Sequence, residues 1–326
     1  MDLLFLLNGS YEGIASAEAL ELLSSCGARP SVTFASGQLL AVSCAQVPAD
    51  TLSRLALSHV VLSALGSVEA GKGELDPARL KAALPSGSFC VRVKKVDKDI
   101  NAMAEERRLS DQIITATGAT VNLATPDRHI IGIHVGGMVH TGLVVAGSPA
   151  RDLQARKPQH RPFFHPSSLD PRLARALVNI SGATSEVLDP FCGTGGILIE
   201  AGLMGLAPYG IDIEEKMVEG CRRNLAHYGV VGTVVLGDAT DIGAAYGRSF
   251  ESVVTDVPYG KSTVIGGQRD SLYASAFSEI RGHCRSRAVI VVPQSYDFVS
   301  LGFVEKYHFV IRVHKSLDRH IYVLVP

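Results

Sequence analysis

Val187-Leu188-Asp189-Pro190-Phe191-Cys192-Gly193-Thr194-Gly195-Gly196 decides the architecture of this chain. A short apolar run ends on an acid, a glycine-rich bend follows, and from residue 195 the apolar residues recur at helical spacing. Strand, glycine loop and helix in that order make a corner at the carboxyl end of a strand, where open α/β sheets bind ligands. Glycine lets the backbone come close to a ligand, and a helix start favours negative charge. Two common loops of this kind are excluded. The dinucleotide fingerprint G-x-G-x-x-G needs glycine at position 198, which is Leu198, and no Gly-Lys-Ser/Thr follows to make a P-loop.

Working outward, strands are expected at 187–189, 209–213, 233–236, 252–256 and 288–292, with helices at 195–204, 214–228 and 271–284. That alternation implies a parallel sheet covered by helices on both faces. The end differs: 308–314 and 320–325 flank 315–319 as a long hairpin, which places antiparallel strands at the close of the sheet. Asp212 and Asp238 end the second and third strands, as Asp189 ends the first. A single acid in that place reads equally well as a helix N-cap. Three in register after consecutive strands read as a ligand-binding set. Cys192 lies within the loop, but no base pairs with it in the sequence, so it reads as a small packing residue and not as a nucleophile.

The first half is built differently. Residues 1–54 read as strand, helix and hairpin, with the hairpin turning at Ser36-Gly37, and helical segments are expected at 49–58 and 77–84. A second unit follows: strand 88–96, helix 100–117, the run Gly118-Ala119-Thr120-Val121-Asn122-Leu123, a Pro126-Asp127 turn, and strands 129–135 and 139–145 around Gly136-Gly137. Residues 148–165 carry Pro149, Pro158 and Pro162 among basic residues without periodicity, which reads as an interdomain linker. At 326 residues the chain is too long for one ordinary core, in keeping with several domains. With 46% hydrophobic and 19% charged residues it is a well-packed globular chain rather than a disordered one. The net charge of -1 does not exclude nucleic acid, because a basic face can coexist with an acidic one. Six cysteines without a Cys-x-x-Cys pair argue against a zinc site or a disulfide framework and for buried thiols in a reducing compartment. No membrane span and no signal peptide are expected, and the location expected is the cytoplasm.

Thr255-Asp256-Val257-Pro258-Tyr259-Gly260 follows the fourth strand, beside the glycine loop in this topology. It resembles motif IV, [Asp/Asn/Ser]-Pro-Pro-[Tyr/Phe/Trp], of methyltransferases that act on exocyclic amines, and 189–196 resembles motif I of class I methyltransferases, which cradles the methionine part of S-adenosylmethionine. An amine conjugated to an aromatic ring is a poor nucleophile because its lone pair is delocalised. Acceptors aimed at both N–H groups push the nitrogen towards tetrahedral geometry; the Asp256 side chain and the Val257 carbonyl are the candidates. Tyr259 is expected to stack on the base. Val257 departs from the usual proline but keeps the carbonyl, so its side chain is expected to be replaceable. Asp rather than Asn at 256 favours guanine N2 by resemblance. The stretch 261–270 reads as a loop over the site, with Lys261 and Arg269 as candidate phosphate contacts.

Arg161-Pro162-Phe163-Phe164-His165-Pro166 and Asp170-Pro171-Arg172-Leu173-Ala174-Arg175-Ala176, taken with the first half, resemble the archaeal tRNA guanine-10 N2-methyltransferases over nearly the whole chain. The resemblance implies a ferredoxin-like N-terminal α+β unit (1–54), a THUMP RNA-binding domain (55–147), the linker (148–165) and a Rossmann-like class I methyltransferase domain (166–326) ending in the antiparallel hairpin. It implies S-adenosylmethionine as cofactor, held by Phe164, His165, Pro166, Asp189, Phe191, Gly193, Thr194, Gly195, Asp212, Ile213, Asp238, Ala239 and Asp256. His165 reads equally as a structural histidine. Asp256, Val257, Pro258 and Tyr259 would form the catalytic motif, with no metal. tRNA is the implied partner, through a basic face drawn from Arg92, Lys94, Lys95, Arg107 and Arg108; a small zinc-containing activator protein is a further one. Mono- and dimethylation of guanine 10 both stay open. Guanine 6 of tRNA, another RNA amine, and an RNA-binding protein without catalysis are the alternatives.

Overall fold

The computed structural model describes every residue except Glu12, Lys98, Asp99, Ser167, 260–265 and 315–316, and only the backbone of 266–270, His314 and Leu317. The first half forms one eight-stranded sheet. Its elements are β1 (Asp2–Leu7), α1 (Ile14–Ser25), β2 (Ser31–Ser36), β3 (Leu39–Ser43), α2 (Ala49–Leu52), β4 (Ser58–Glu69), α3 (Pro77–Ala83), β5 (Ser88–Lys95), α4 (Ala102–Thr117), β6 (Thr120–Val121), β7 (Arg128–Val135) and β8 (Met138–Gly147). The order is β2-β3-β1-β4-β8-β7-β5-β6, so strands from 1–54 and from 55–147 share the sheet. The helix expected over 49–58 stops at Leu52, because Ser58 opens a twelve-residue strand that pairs with both β1 and β8. The β-branched run at Val60-Val61 suits that position between two strands.

The second half supplies α5 (Ala150–Ala155), α6 (Pro171–Ser181), β9 (Glu186–Asp189), α7 (Gly196–Leu203), β10 (Ala207–Asp212), α8 (Glu215–His227), β11 (Thr233–Leu236), α9 (Ile242–Tyr246), β12 (Phe250–Asp256), α10 (Gly266–His283), β13 (Cys284–Val292), β14 (Val304–His314) and β15 (Leu317–Val325). The sheet runs β11-β10-β9-β12-β13-β15-β14. From β11 to β13 every neighbour is parallel; β15 then pairs antiparallel with both β13 and β14, as the terminal hairpin required. One face carries a core of Leu188, Ile211, Val253 and Ile290 against Phe277 and Ile280 of α10, and the other carries Leu198, Ile199, Val218 and Leu225 of α7 and α8. Because β9 and β12 are adjacent although β10 and β11 intervene in sequence, the strand order reverses there, and a crevice opens at their carboxyl ends.

By internal contacts the chain divides into two units, and the second takes in Ala17–Cys26 and Arg54–Ala56 together with Pro149–Pro326. Within it Glu18 accepts from Asn179 Nδ2 at 2.7 Å, and Glu21 meets Arg287 at 2.8 Å, Lys306 at 2.7 Å and the Tyr307 hydroxyl at 2.8 Å. Burial alone would raise the Glu21 carboxyl, but the Lys306 and Tyr307 hydrogen bonds and the Arg287 charge hold it below its ordinary value. Of residues 148–165, read from sequence as a linker, 149–165 belong to this unit and carry helix α5. Arg156 binds Glu200 of α7 at 2.7 Å, Arg175 of α6 binds the same carboxylate at 2.8 Å, and Glu200 is wholly buried between them. Proline and glycine punctuation hid this anchoring from the periodicity argument.

Candidate active site

Asp189, Asp212 and Asp238 stand at or just beyond the carboxyl ends of β9, β10 and β11, which are neighbours in the sheet. At about 4.8 Å per strand the three acids are spread over roughly 10 Å, the scale of a nucleoside joined to an amino acid. Their surroundings differ. Asp189 is buried; its Oδ1 accepts from the Phe191 N–H at 3.1 Å and from Thr255 Oγ1 at 2.7 Å. Burial, aided by the nearby carboxyls of Asp256 and Asp212, pushes Asp189 up to about 7 against those hydrogen bonds. Asp212 is half-buried and is also raised, chiefly by burial. Its Oδ2 accepts from Gly193 N at 2.8 Å and its Oδ1 from Glu214 N at 2.9 Å, so it fixes the glycine loop from the next strand. Asp238 is exposed and caps its own turn through Thr240 N at 2.9 Å. Ile213, which follows Asp212, is 69% exposed, while Ala239 is buried.

The loop has its glycines where side chains cannot go. Gly195 has φ 82°, and a Cβ there would fall 2.5 Å from Cys221 Sγ on α8. Cys192 faces the same thiol; its contact with Cys221 and its burial drive its pKa up, which keeps it protonated and unreactive. Phe191 is half-buried against the core, and Thr194 is buried.

The segment ahead of α6 is laid on this loop. Ser168 donates to the His165 carbonyl from its hydroxyl at 2.8 Å and its N–H at 3.2 Å, and its Oγ lies 2.8 Å from Thr194 Oγ1. Phe164 is 52% exposed, Pro166 is exposed and His165 is half-buried. Asn224 of α8, with no exposure, holds the other side: its Nδ2 donates to the Phe163 and Thr194 carbonyls, its Oδ1 accepts from Phe163 N, and all three distances are 2.9 Å. Neither Ser168 nor Asn224 stood out in the sequence, because a polar side chain that binds backbone leaves no pattern. Three backbone groups converging on one buried amide signify positioning all the same.

The tetrapeptide lies next to the loop. Thr255 ties the end of β12 to Asp189, and Asp256 ends the strand with its side chain 13% exposed. Tyr259 donates its hydroxyl to Asp256 Oδ1 and accepts from Arg319 Nε of β15 at 3.0 Å, while Arg319 NH2 stands 3.8 Å from Asp256 Oδ2. Burial raises Asp256 to about 6 against the lowering by Arg319 and Tyr259. The Pro258 carbonyl accepts from the Tyr273 hydroxyl of α10 at 2.8 Å. Val257 is 2% exposed with its side chain in the core, and its N–H donates to Val291 O at 3.1 Å. The side chain therefore has a packing role beside the main-chain carbonyl expected to act on the amine. The stretch expected as a loop over the site lies outside the described residues at 261–265; from Gly266 its backbone is helix α10.

A methyltransferase family, described as RMKL-like, methyltransferase domain, matches residues 158–307. The chain is 40% identical over 283 residues to the tRNA (guanine(10)-N2)-dimethyltransferase of Pyrococcus abyssi, covering 84% of this chain and 86% of that protein. It is 34% identical to the protein of the same name from Methanothermobacter thermautotrophicus, covering 99% of both. The chain belongs to the tRNA (guanine(10)-N2)-dimethyltransferase family. The crystal structure of TrmN from Thermus thermophilus shares the fold over the full chain, with a TM-score of 0.53 at 18% identity and 99% of that chain covered. Against this family background the basic residues expected to bind RNA divide. Val91 and Val93 of β5 pack on Leu109 and Ile113 of α4, whereas Arg92 and Lys94 are exposed and line a cavity of about 680 Å³ with His59 and His129; the Arg92 guanidinium also reaches Glu106 of α4 at 3.8 Å. Arg108 is bound to Glu105 and to the Gly73 carbonyl on the α4 side.

Proposed function

We propose that this chain transfers methyl groups from S-adenosylmethionine to the exocyclic N2 of guanine 10 in tRNA, with mono- and dimethylated products both within reach of the site. The observation that carries the reading is Asp256 at the end of β12, joined through Thr255 to the Asp189 end of the glycine loop. Family membership supports guanine 10 over guanine 6, since both relatives described above are named for that position.

The residues suit the cofactor: a glycine loop with a buried acid at its base, a second acid one strand over followed by an exposed apolar side chain, and a third acid on the next strand. In this reading Asp189 accepts from the amino group of the methionine moiety, Asp212 from the ribose hydroxyls, and Asp238 from the adenine amine, with Ile213 and Phe164 covering the ring faces. Gly193, Thr194 and Gly195 shape the loop beneath the methionine part, and the segment 164–166 closes over it. When bound, the cofactor supplies an electrophilic sulfonium methyl. Asp256 and the Val257 carbonyl then accept from the two N–H groups of the guanine amine, so the nitrogen lone pair turns out of the ring. The Asp256 carboxylate would hold the proton that the amine gives up on methylation. Tyr259 stacks on the extruded base, whose extrusion from the tRNA costs about a few kcal/mol.

The first half is taken as the RNA-binding part, with 1–54 ferredoxin-like and 55–147 the THUMP domain; the cavity bordered by Arg92 and Lys94 supports it. The edge strand β14, with Val304 and Val310 exposed, is where a small zinc-containing activator would add a strand; added activator should then raise turnover, and an unchanged rate would remove it. No helix among the described residues is long and apolar enough to cross a membrane, and the cytoplasm is the proposed location. The deciding experiment is methyl transfer to an unmodified tRNA transcript, mapped by mass spectrometry, with wild type and Asp256→Ala. Methylguanine at position 10 from wild type alone is expected; equal activity from both proteins, or methylation only elsewhere, sinks the proposal.

A further inference from the structure

Arg319 belongs to no motif, yet it meets two side chains of the catalytic tetrapeptide, Asp256 and Tyr259. It comes from β15, two strands away from β12, and reaches Tyr259 Oη at 3.0 Å with Nε and Asp256 Oδ2 at 3.8 Å with NH2. Its side chain is 16% exposed and that of Asp256 13%, so the pair is weakly screened. The third side of the triangle is the Tyr259 hydroxyl on Asp256 Oδ1. That hydroxyl occupies the acceptor which the methyl-transfer reading assigns to the substrate amine. Among the described residues Asp189 of β9 is a further carboxyl near Asp256, and the Tyr273 hydroxyl of α10 is engaged with the Pro258 carbonyl.

We propose that Arg319 is a positioning residue of the methyl-transfer site, which keeps Asp256 ionised and parks Tyr259 across it until an incoming amine displaces the hydroxyl. The inference rests on the function proposed above. The geometry gives each contact a purpose. Without a cation, a carboxylate buried beside Asp189 takes up a proton and ceases to be a two-sided acceptor. The tyrosine hydroxyl stands in for the amine N–H, so the carboxylate is oriented before substrate arrives. Once displaced, Tyr259 keeps Arg319 as a partner and its ring is free to meet the base, which makes substrate entry an exchange of one hydrogen bond for another rather than the making of a new one.

The test reads Asp256 directly. In protein labelled with 13C at aspartate carboxyls, the Asp256 signal, identified by its loss in Asp256→Asn, is titrated in wild type, Arg319→Lys and Arg319→Ala. The expected result is a midpoint about 1 unit or more higher in Arg319→Ala, with Arg319→Lys between the two. Single-turnover methylation of the tRNA transcript should lose its rate on the acid side at correspondingly higher pH, while cofactor affinity by equilibrium dialysis stays within about twofold. An Asp256 midpoint that does not move in Arg319→Ala overturns the proposal, even if turnover falls, since a merely structural arginine would lower rate without shifting the titration. Arg319→Lys guards against a misfolded alanine variant. If wild type binds cofactor but methylates no tRNA, the function proposal fails, and the titration still decides what Arg319 does.

Discussion

Replacing Asn224 with alanine tests whether the cofactor loop is held from behind. The amide is fully buried and satisfies three backbone groups: the Phe163 N–H, the Phe163 carbonyl and the Thr194 carbonyl, each at 2.9 Å. A buried donor or acceptor left without a partner costs about 1–3 kcal/mol. Taking the low end, because water can enter the space vacated, the three together cost about 3 kcal/mol. For a cooperative unit of this size each kcal/mol moves Tm by about 2–4 °C, so the second unit should melt about 6–12 °C lower. The cofactor should feel the Thr194 bond alone: losing about 1–1.5 kcal/mol of loop positioning weakens Kd roughly tenfold. Asn224→Asp separates the contributions, for it keeps the acceptor for Phe163 N but turns a carboxylate towards two carbonyls, and it should be worse than alanine at neutral pH and recover in acid. Differential scanning fluorimetry and calorimetric titration of the cofactor provide the measurements. A Tm within about 1 °C of wild type with unchanged Kd would refute the clamp.

Asp189 sets a pH dependence of cofactor binding. With its carboxyl raised to about 7, the ionised form that accepts from an ammonium group is complete only above that value, so affinity should weaken as pH falls through about 7 and protons should be released on binding. The stability of the cofactor-free protein has the opposite sign: the folded state binds the extra proton, so the Asp189 contribution favours acid and is lost as pH rises through about 7. Asp189→Asn should flatten both profiles, and a Kd independent of pH in wild type would contradict the assignment. Val257→Ala should destabilise the second unit by about 2 kcal/mol, the loss of two buried methyl groups plus a small cavity, with turnover of the folded protein preserved because the acceptor is a main-chain carbonyl. A loss of turnover above tenfold at unchanged Tm would mean the side chain itself acts.

Much of the second sheet was legible because the signals there are local. Apolar runs bounded by glycine and acid, at 187–196 and again at 209–213, 233–236 and 252–256, carry strand, turn and ligand chemistry within a few residues. The acids and the tetrapeptide could be named for the same reason. The residues that hold them could not. Thr255, Asn224, Ser168 and Arg319 act through partners between 26 and 66 residues away, and the partners are often backbone atoms with no identity of their own. Strand β4 escapes the pattern because Ala49–Leu52 starts a true helix and the strand after it shows no regular alternation of apolar and polar residues. The packing of 149–165 was missed because irregular backbone has no period, although Arg156 and Arg161 are among the best-buried cations in the chain.

Helix α1 has a consequence for how the protein is made. Glu21 lies 266 residues ahead of its partner Arg287 and 286 ahead of Tyr307. At roughly 5–20 residues per second, synthesis leaves that carboxylate and the apolar side chains of the same helix waiting for on the order of 13–57 s. Over that interval the segment 17–26 must avoid other company. The second unit is therefore completed by residues made well before the rest of it, and a gene fragment beginning at residue 149 would lack the Glu21 partner of Arg287 and the Glu18 partner of Asn179.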